Sequence, residues 1–176
     1  IGSGASICAI NSGKVVDTSM GFSPITGIMM GTRPGDLDPS IIQYIMDEEG
    51  LTLDEVMTIL NKQSGLQGIC GKSDSRDVEA GIKAGDKKCI LAQDMYTWKV
   101  ANYVAMYNNE LNGADAIVLT AGLGENSIQT RIDILNKLAS LGIKIDVEAN
   151  NFRGEFRKIS TEDSKMRTRH FPKPPP

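Results

Sequence analysis

The sequence predicts an α/β fold, and three observations carry that reading. A short apolar run, Ala116–Leu119, has the length of a buried strand and leads through a turn with Gly122 and Gly124 into a helix. In that helix the apolar positions Ile128, Ile132, Leu135 and Leu138 fall at helical spacing. Two helix starts also carry capping signatures, Asp38-Pro39 and Thr52-Leu-Asp-Glu55, and two short strands flank the turn Asn11-Ser12-Gly13.

In chain order, strands are expected at 6–10 and 14–18. The stretch 20–35 holds four glycines and two prolines, so it reads as a loop, and it contains Met29-Met30-Gly31-Thr32-Arg33. Asp38 is read as the N-cap, with Pro39 as first residue, of a helix ending at Gly50. The capping box Thr52–Glu55 opens a second helix, to about Lys62. Residues 65–77 read as loop, followed by a short helix to Lys83 and the longest helix over 86–111. A strand at 115–120, the glycine turn, a helix over 127–141 and a strand at 143–145 come next, with Asn126 or Ser127 as the helix cap. Residues 150–161 read as a hairpin or loop with charged edges. The tail 166–176, with Arg167, Arg169, Lys173 and three terminal prolines, reads as solvated or disordered and not as a core strand.

Composition sets the limits. Aromatic residues make up 5% of the chain and hydrophobic residues 40%, so aliphatic side chains must fill the core. A net charge of −3 argues against broad binding to nucleic acid or an anionic membrane. The odd, widely spaced cysteines Cys8, Cys70 and Cys89 form no CxxC pair and suit reduced thiols in a cytoplasmic protein. The single histidine, His170, rules out a site needing two, and no metal ligand set is assigned. No apolar run has membrane length. The chain opens Ile-Gly-Ser-Gly without methionine and is expected to be a piece of a longer protein.

A strand running through a glycine turn into a helix N-terminus can present backbone N–H groups to phosphate, and equally can be an ordinary strand–helix connection. Four segments together take the reading further: GSGAS at 2–6, DTSMGFSPITGIMMGTRPGDLDP at 17–39, GKSDSRDVE at 71–79 and TAGLGENS at 120–127. In order and spacing they resemble the acetate kinases, over about residues 1–165. The resemblance is to the C-terminal, nucleotide-binding half of that family. It implies an actin-like ATPase (ribonuclease H-like) lobe with a mixed central β-sheet flanked by helices, residues 166–176 being a divergent tail. It also implies ATP/ADP and Mg2+ as cofactors, acetate and acetyl phosphate as substrates, and a homodimer.

The same resemblance implies roles for particular residues. Gly2, Ser3 and Gly4 match a glycine turn around the β- and γ-phosphates; the alternative is a plain hairpin turn. Arg33 matches the family's active-site arginine near acetate and the transferred phosphoryl, where a planar charged fork suits spreading oxygen charge. Its alternative is a surface salt bridge. Asp74, Ser75 and Arg76 match the adenosine-binding segment, the alternative being a helix-capping loop. Gly122, Leu123, Gly124 and Asn126 match the segment along the adenosine and its phosphates, with Leu123 offering an apolar surface to the base. Glu125 is expected to be solvated or to cap. After Arg169 the family pattern fails, and the glutamate that the family uses at its Mg2+ site has no counterpart. The family's N-terminal lobe is also missing, and Arg33 is the only charged catalytic residue that carries over, so the chain alone is expected to be inactive. Propionate or butyrate kinase, and a non-catalytic nucleotide-binding fragment, are the competing readings.

Overall fold

The computed structural model describes residues 1–153 and 156–170. The chain divides into two compact units. Unit 1 comprises residues 1–18 and everything from 97 onward; unit 2 comprises residues 19–96.

In unit 1, β1 (Cys8–Asn11) and β2 (Lys14–Thr18) form an antiparallel hairpin with a register irregularity between Ala9 and Ile10. Ser12 at φ 50° and Gly13 at φ 79° make its turn, which is the mirror-type geometry that suits the twist of paired strands. A second sheet has the order β3–β5–β4 among the described residues, with β3 at Ala116–Leu119, β4 at Arg157–Lys158 and β5 at Arg167–His170. β5 runs parallel to β3 and antiparallel to β4. This corrects the reading of the tail: residues 167–170 are the middle strand of the sheet. The signal is faint in the sequence because the buried Met166 and Thr168 alternate with an exposed arginine, Arg167, and Thr168 is not apolar. Residues 171–176 lie outside the described residues.

Between β3 and β4 the chain builds α6 (Ala121–Asn126), α7 (Ile128–Lys137) and a 3-10 turn (Ala139–Leu141) that ends at Gly142 in the left-handed region. The expected strand at 143–145 reduces to a single antiparallel bridge, Ile145 to Ser160. The buried face of α7 comprises Thr130, Arg131, Ile134 and Leu135, followed by Leu138; Ile128 and Ile132 are only half-buried.

Unit 2 holds α1 (Ser40–Glu49), α2 (Leu53–Lys62), α3 (Gly65–Cys70) and α4 (Ser75–Lys83). The long α5 (Lys87–Glu110) supplies residues 87–96 to unit 2 and 97–110 to unit 1. The N-cap of α1 is Pro39 and the helix begins at Ser40, one residue later than the sequence reading; Asp38, just outside, accepts from the amide and the hydroxyl of Ser40, and Gly50 ends the helix at φ 65°. The Thr52–Glu55 capping box is fully formed. Residues 65–70, expected as loop, are helical. Two glycines in six residues give this segment little helix propensity of its own. Its early amides are met from elsewhere: Leu66 N donates to Met30 O and Gln67 N to Gly31 O.

Candidate nucleotide and phosphoryl site

In unit 1 two of the glycine segments meet. The carbonyl of Ile1 accepts from the amides of Leu123 (2.9 Å) and Gly124 (3.2 Å), and Ile1 N donates to Thr120 O at 2.8 Å. Gly2 therefore lies against α6: a Cβ built on it would come 3.7 Å from Gly122 N. Ser3 and Gly4 are exposed beside it. The turn expected at 121–125 is helical, and the residue that enters the left-handed region is Ala121, at φ 63°, and neither Gly122 nor Gly124. The glycines serve other ends. A Cβ on Gly122 would meet nothing within 4 Å, so that side of α6 is open. A Cβ on Gly124 would lie 3.1 Å from the Leu119 carbonyl carbon, so its absence lets α6 fold back onto the end of β3.

The remaining residues of this segment are used locally. Leu123 is only 8% exposed, so most of its side chain belongs to the core of unit 1. Asn126 donates to Gly122 O at 3.0 Å, and Glu125 accepts from Ala121 N at 2.9 Å, a capping role. Ser127 caps α7 by accepting from Thr130 N.

Sequence reasoning missed Arg131. It is wholly buried and donates to the carbonyls of Gly124 and Glu125, both at 3.0 Å, as well as to Asn150 and Phe152. Burial lowers its pKa from the usual arginine value. The signal available in the sequence was a charge at i+3 from Ile128, on the face where an apolar residue would be expected.

In unit 2, Arg33 sits on a loop fixed by its backbone. Met30 N donates to Arg33 O (2.9 Å), Ser64 N to Thr32 O (3.0 Å), and the Thr32 hydroxyl to Asn61 O (2.9 Å). Gly65, at φ 61°, allows this packing, since a Cβ there would fall 2.2 Å from Met30 O and 2.6 Å from Arg33 O. The loop's other end is clasped by Asp36, which accepts from Gly27 N and donates its own amide to Gly27 O. Arg33 is half-buried, and its Nη1 donates to Pro24 O at 3.0 Å. Among the described residues it makes no ion pair, so the surface salt bridge weighed against it is not formed there. The rest of its fork remains for an anion.

Asp74 caps α4, accepting from Arg76 N at 2.8 Å, and its carboxylate also pairs with the exposed Arg76 guanidinium. The side-chain hydrogen bond from Arg76 holds the Asp74 pKa down to about 2. Ser75 is the first residue of α4 and half-buried. This is the geometry of a helix-capping loop, and it leaves Arg76 at the surface.

A family model described as "Acetokinase family" matches residues 1–172. The chain is 52% identical over 170 residues to the acetate kinase of Fervidobacterium nodosum and 53% identical over 170 residues to that of Thermosipho melanesiensis. Each alignment covers 95% of this chain and 42% of the relative, so the chain spans about two-fifths of the length of these proteins. Among solved structures it superposes on an acetate kinase of Porphyromonas gingivalis with a TM-score of 0.93 at 40% identity, covering 98% of this chain and 44% of that one. A propionate kinase of Francisella tularensis superposes with a TM-score of 0.92 at 42% identity, with the same coverage.

Proposed function

Because the chain belongs to the acetokinase family and has the actin-like α/β fold of those kinases, we propose that it is the C-terminal, nucleotide-binding part of an acetate kinase. The reaction is the reversible transfer of the γ-phosphoryl group of ATP to acetate, giving ADP and acetyl phosphate. The carboxylate oxygen attacks phosphorus while the bond to the β,γ-bridging oxygen breaks, so the protein's work is positioning and charge stabilisation.

The observation that carries this reading is Arg33. It is a half-buried arginine without a carboxylate partner among the described residues, on a loop held by three backbone-directed hydrogen bonds. Such a guanidinium suits the equatorial oxygens of a transferring phosphoryl group. Gly2, Ser3, Gly4 and the open side of α6 at Gly122 are assigned to the nucleotide phosphates; the space over Gly122 is the observation that fits a ligand there. Gly124 and Asn126 shape α6, and Leu123 supports it from below. Asp74, Ser75 and Arg76 are assigned to adenosine, the exposed Arg76 guanidinium, held by Asp74, offering its face to the base. Mg2+ arrives with the nucleotide phosphates. Among the described residues no group of three acidic, histidine or cysteine side chains converges to hold it unaided. Homodimerisation and a cytoplasmic location belong to the same proposal. Among the described residues no helix is long and apolar enough to cross a membrane.

A propionate kinase is the second reading, favoured by the equally good superposition on that enzyme. One methylene changes discrimination by only ~1–3 kcal/mol. The test is acetyl phosphate formation from Mg·ATP and acetate, by the chain alone and by the chain joined to a family N-terminal half. The proposal expects the joined protein to turn over acetate, the lone chain to fall far below the ~10 s⁻¹ of a typical enzyme, and Arg33→Ala to abolish turnover. Turnover that survives Arg33→Ala overturns the assignment, and a higher kcat/KM for propionate selects the second reading.

A further inference from the structure

Arg131 is the largest fully buried side chain in the described chain, and it is a cation. All five of its guanidinium N–H groups are used. Nε donates to Asn150 Oδ1 at 2.6 Å; Nη1 donates to Gly124 O and Glu125 O, both at 3.0 Å; Nη2 donates to Asn150 O at 2.8 Å and Phe152 O at 3.1 Å. Each acceptor is a neutral carbonyl oxygen. The Phe152 ring lies 4.9 Å from the guanidinium carbon. Two of the carbonyls come from the C-terminal turn of α6, where they lack partners within the helix and where the helix dipole is negative. Asn150, itself fully buried, is oriented in turn by donating from Nδ2 to Ile128 O at 3.2 Å.

Such an arrangement does more than fill space. An apolar side chain of similar length would satisfy the packing without desolvating a charge. A lysine could not reach five acceptors in a plane. The side chain ties α7 and the 150–152 segment to α6, a helix of only six residues joined to α7 through Ser127 alone. At its N-terminal end α6 is held by the Ile1 carbonyl. With both ends fixed, the open side at Gly122 has a defined direction.

We propose that Arg131 is a positioning residue for nucleotide binding: it touches no ligand and sets the orientation of α6 against the bound nucleotide. This rests on the nucleotide-binding reading above. The test combines Arg131→Lys with the milder Asn150→Ser, which removes the Nε contact and the Asn150 Nδ2 bond to Ile128 O but leaves the four main-chain acceptors of Arg131 in place. Amide hydrogen exchange and calorimetric Mg·ADP binding are measured on both variants and the wild-type chain, with circular dichroism to follow folding. Protection is expected to fall at least tenfold at the Leu123, Gly124 and Ser127 amides while those of Leu111 and Ile159 hold. The Mg·ADP Kd is expected to rise at least tenfold in Arg131→Lys and less in Asn150→Ser. If Arg131→Lys does not fold, Asn150→Ser carries the same comparison. A uniform loss of protection, or a selective loss with an unchanged Kd, overturns the inference and leaves the nucleotide reading intact. A folded wild-type chain that binds no Mg·ADP overturns the nucleotide reading, and with it the purpose assigned to Arg131.

Discussion

The main-chain carbonyl of Ile1 accepts a hydrogen bond from the amide of Leu123, at 2.9 Å. That bond joins the first glycine segment of the chain to the last. It places Gly2 beside the flank of α6 at Gly122, where an added Cβ would meet nothing within 4 Å.

The two glycines of α6 should respond oppositely to alanine. Gly124→Ala sets a Cβ 3.1 Å from the Leu119 backbone, and the resulting overpacking should destabilise unit 1 by ~1–2 kcal/mol, after allowing for the gain in helix propensity. Gly122→Ala has open space and should be neutral or stabilising by up to ~1 kcal/mol, yet weaken Mg·ADP binding. Urea unfolding and calorimetry on both variants separate the two effects; equal stability losses would refute the distinction.

Ala121 carries the left-handed strain that a glycine would relieve. At φ 63° a Cβ costs roughly 1 kcal/mol, so Ala121→Gly should stabilise by about 0.5 kcal/mol once the added freedom of the unfolded chain is counted. A fall in denaturation midpoint would contradict this.

Gly65 is the position on which the Arg33 loop depends. An alanine there would place Cβ 2.2 Å from Met30 O while holding φ at 61°. Clash and strain together should cost at least ~3 kcal/mol, and in a family enzyme carrying the change activity should drop with no substitution at Arg33 itself. Hydrogen exchange at Ser64, Leu66 and Gln67, whose amides bond this loop, would report the loosening. Retained protection would sink the idea.

Acid should release the cap of α4. The folded Asp74 pKa is depressed to about 2 by its hydrogen bonds from Arg76, below the ~3.9 of a free aspartate. Its contribution is therefore complete above about pH 4 and lost as pH falls toward 2. Amide protection at Arg76, Asp77 and Val78 should decline through that window in wild type, and Asp74→Asn should remove the pH step. An unchanged step in the variant would assign it to another group.

Much of this was legible in the residues themselves. The Thr52–Glu55 box, the Gly50 stop and the α5 span depend on neighbours within a turn or two, and local chemistry decides them. The Met29–Arg33 loop and the glycine segments were equally visible as motifs. What one sequence could not display were features whose partners lie far along the chain. The helix at 65–70 exists because Met30 and Gly31 carbonyls meet its amides. The strand at 167–170 exists because β3 and β4 flank it, although half its residues are arginine. Arg131 is buried only because carbonyls from two segments, 124–125 and 150–152, converge on it. Local propensity and motif thus determined the family and most of the helices. Only the tertiary structure decided which glycine is open and which is packed, and which arginine is left without a carboxylate partner among the described residues and which is locked in the core, because burial and hydrogen-bond partners are properties of space and not of spacing.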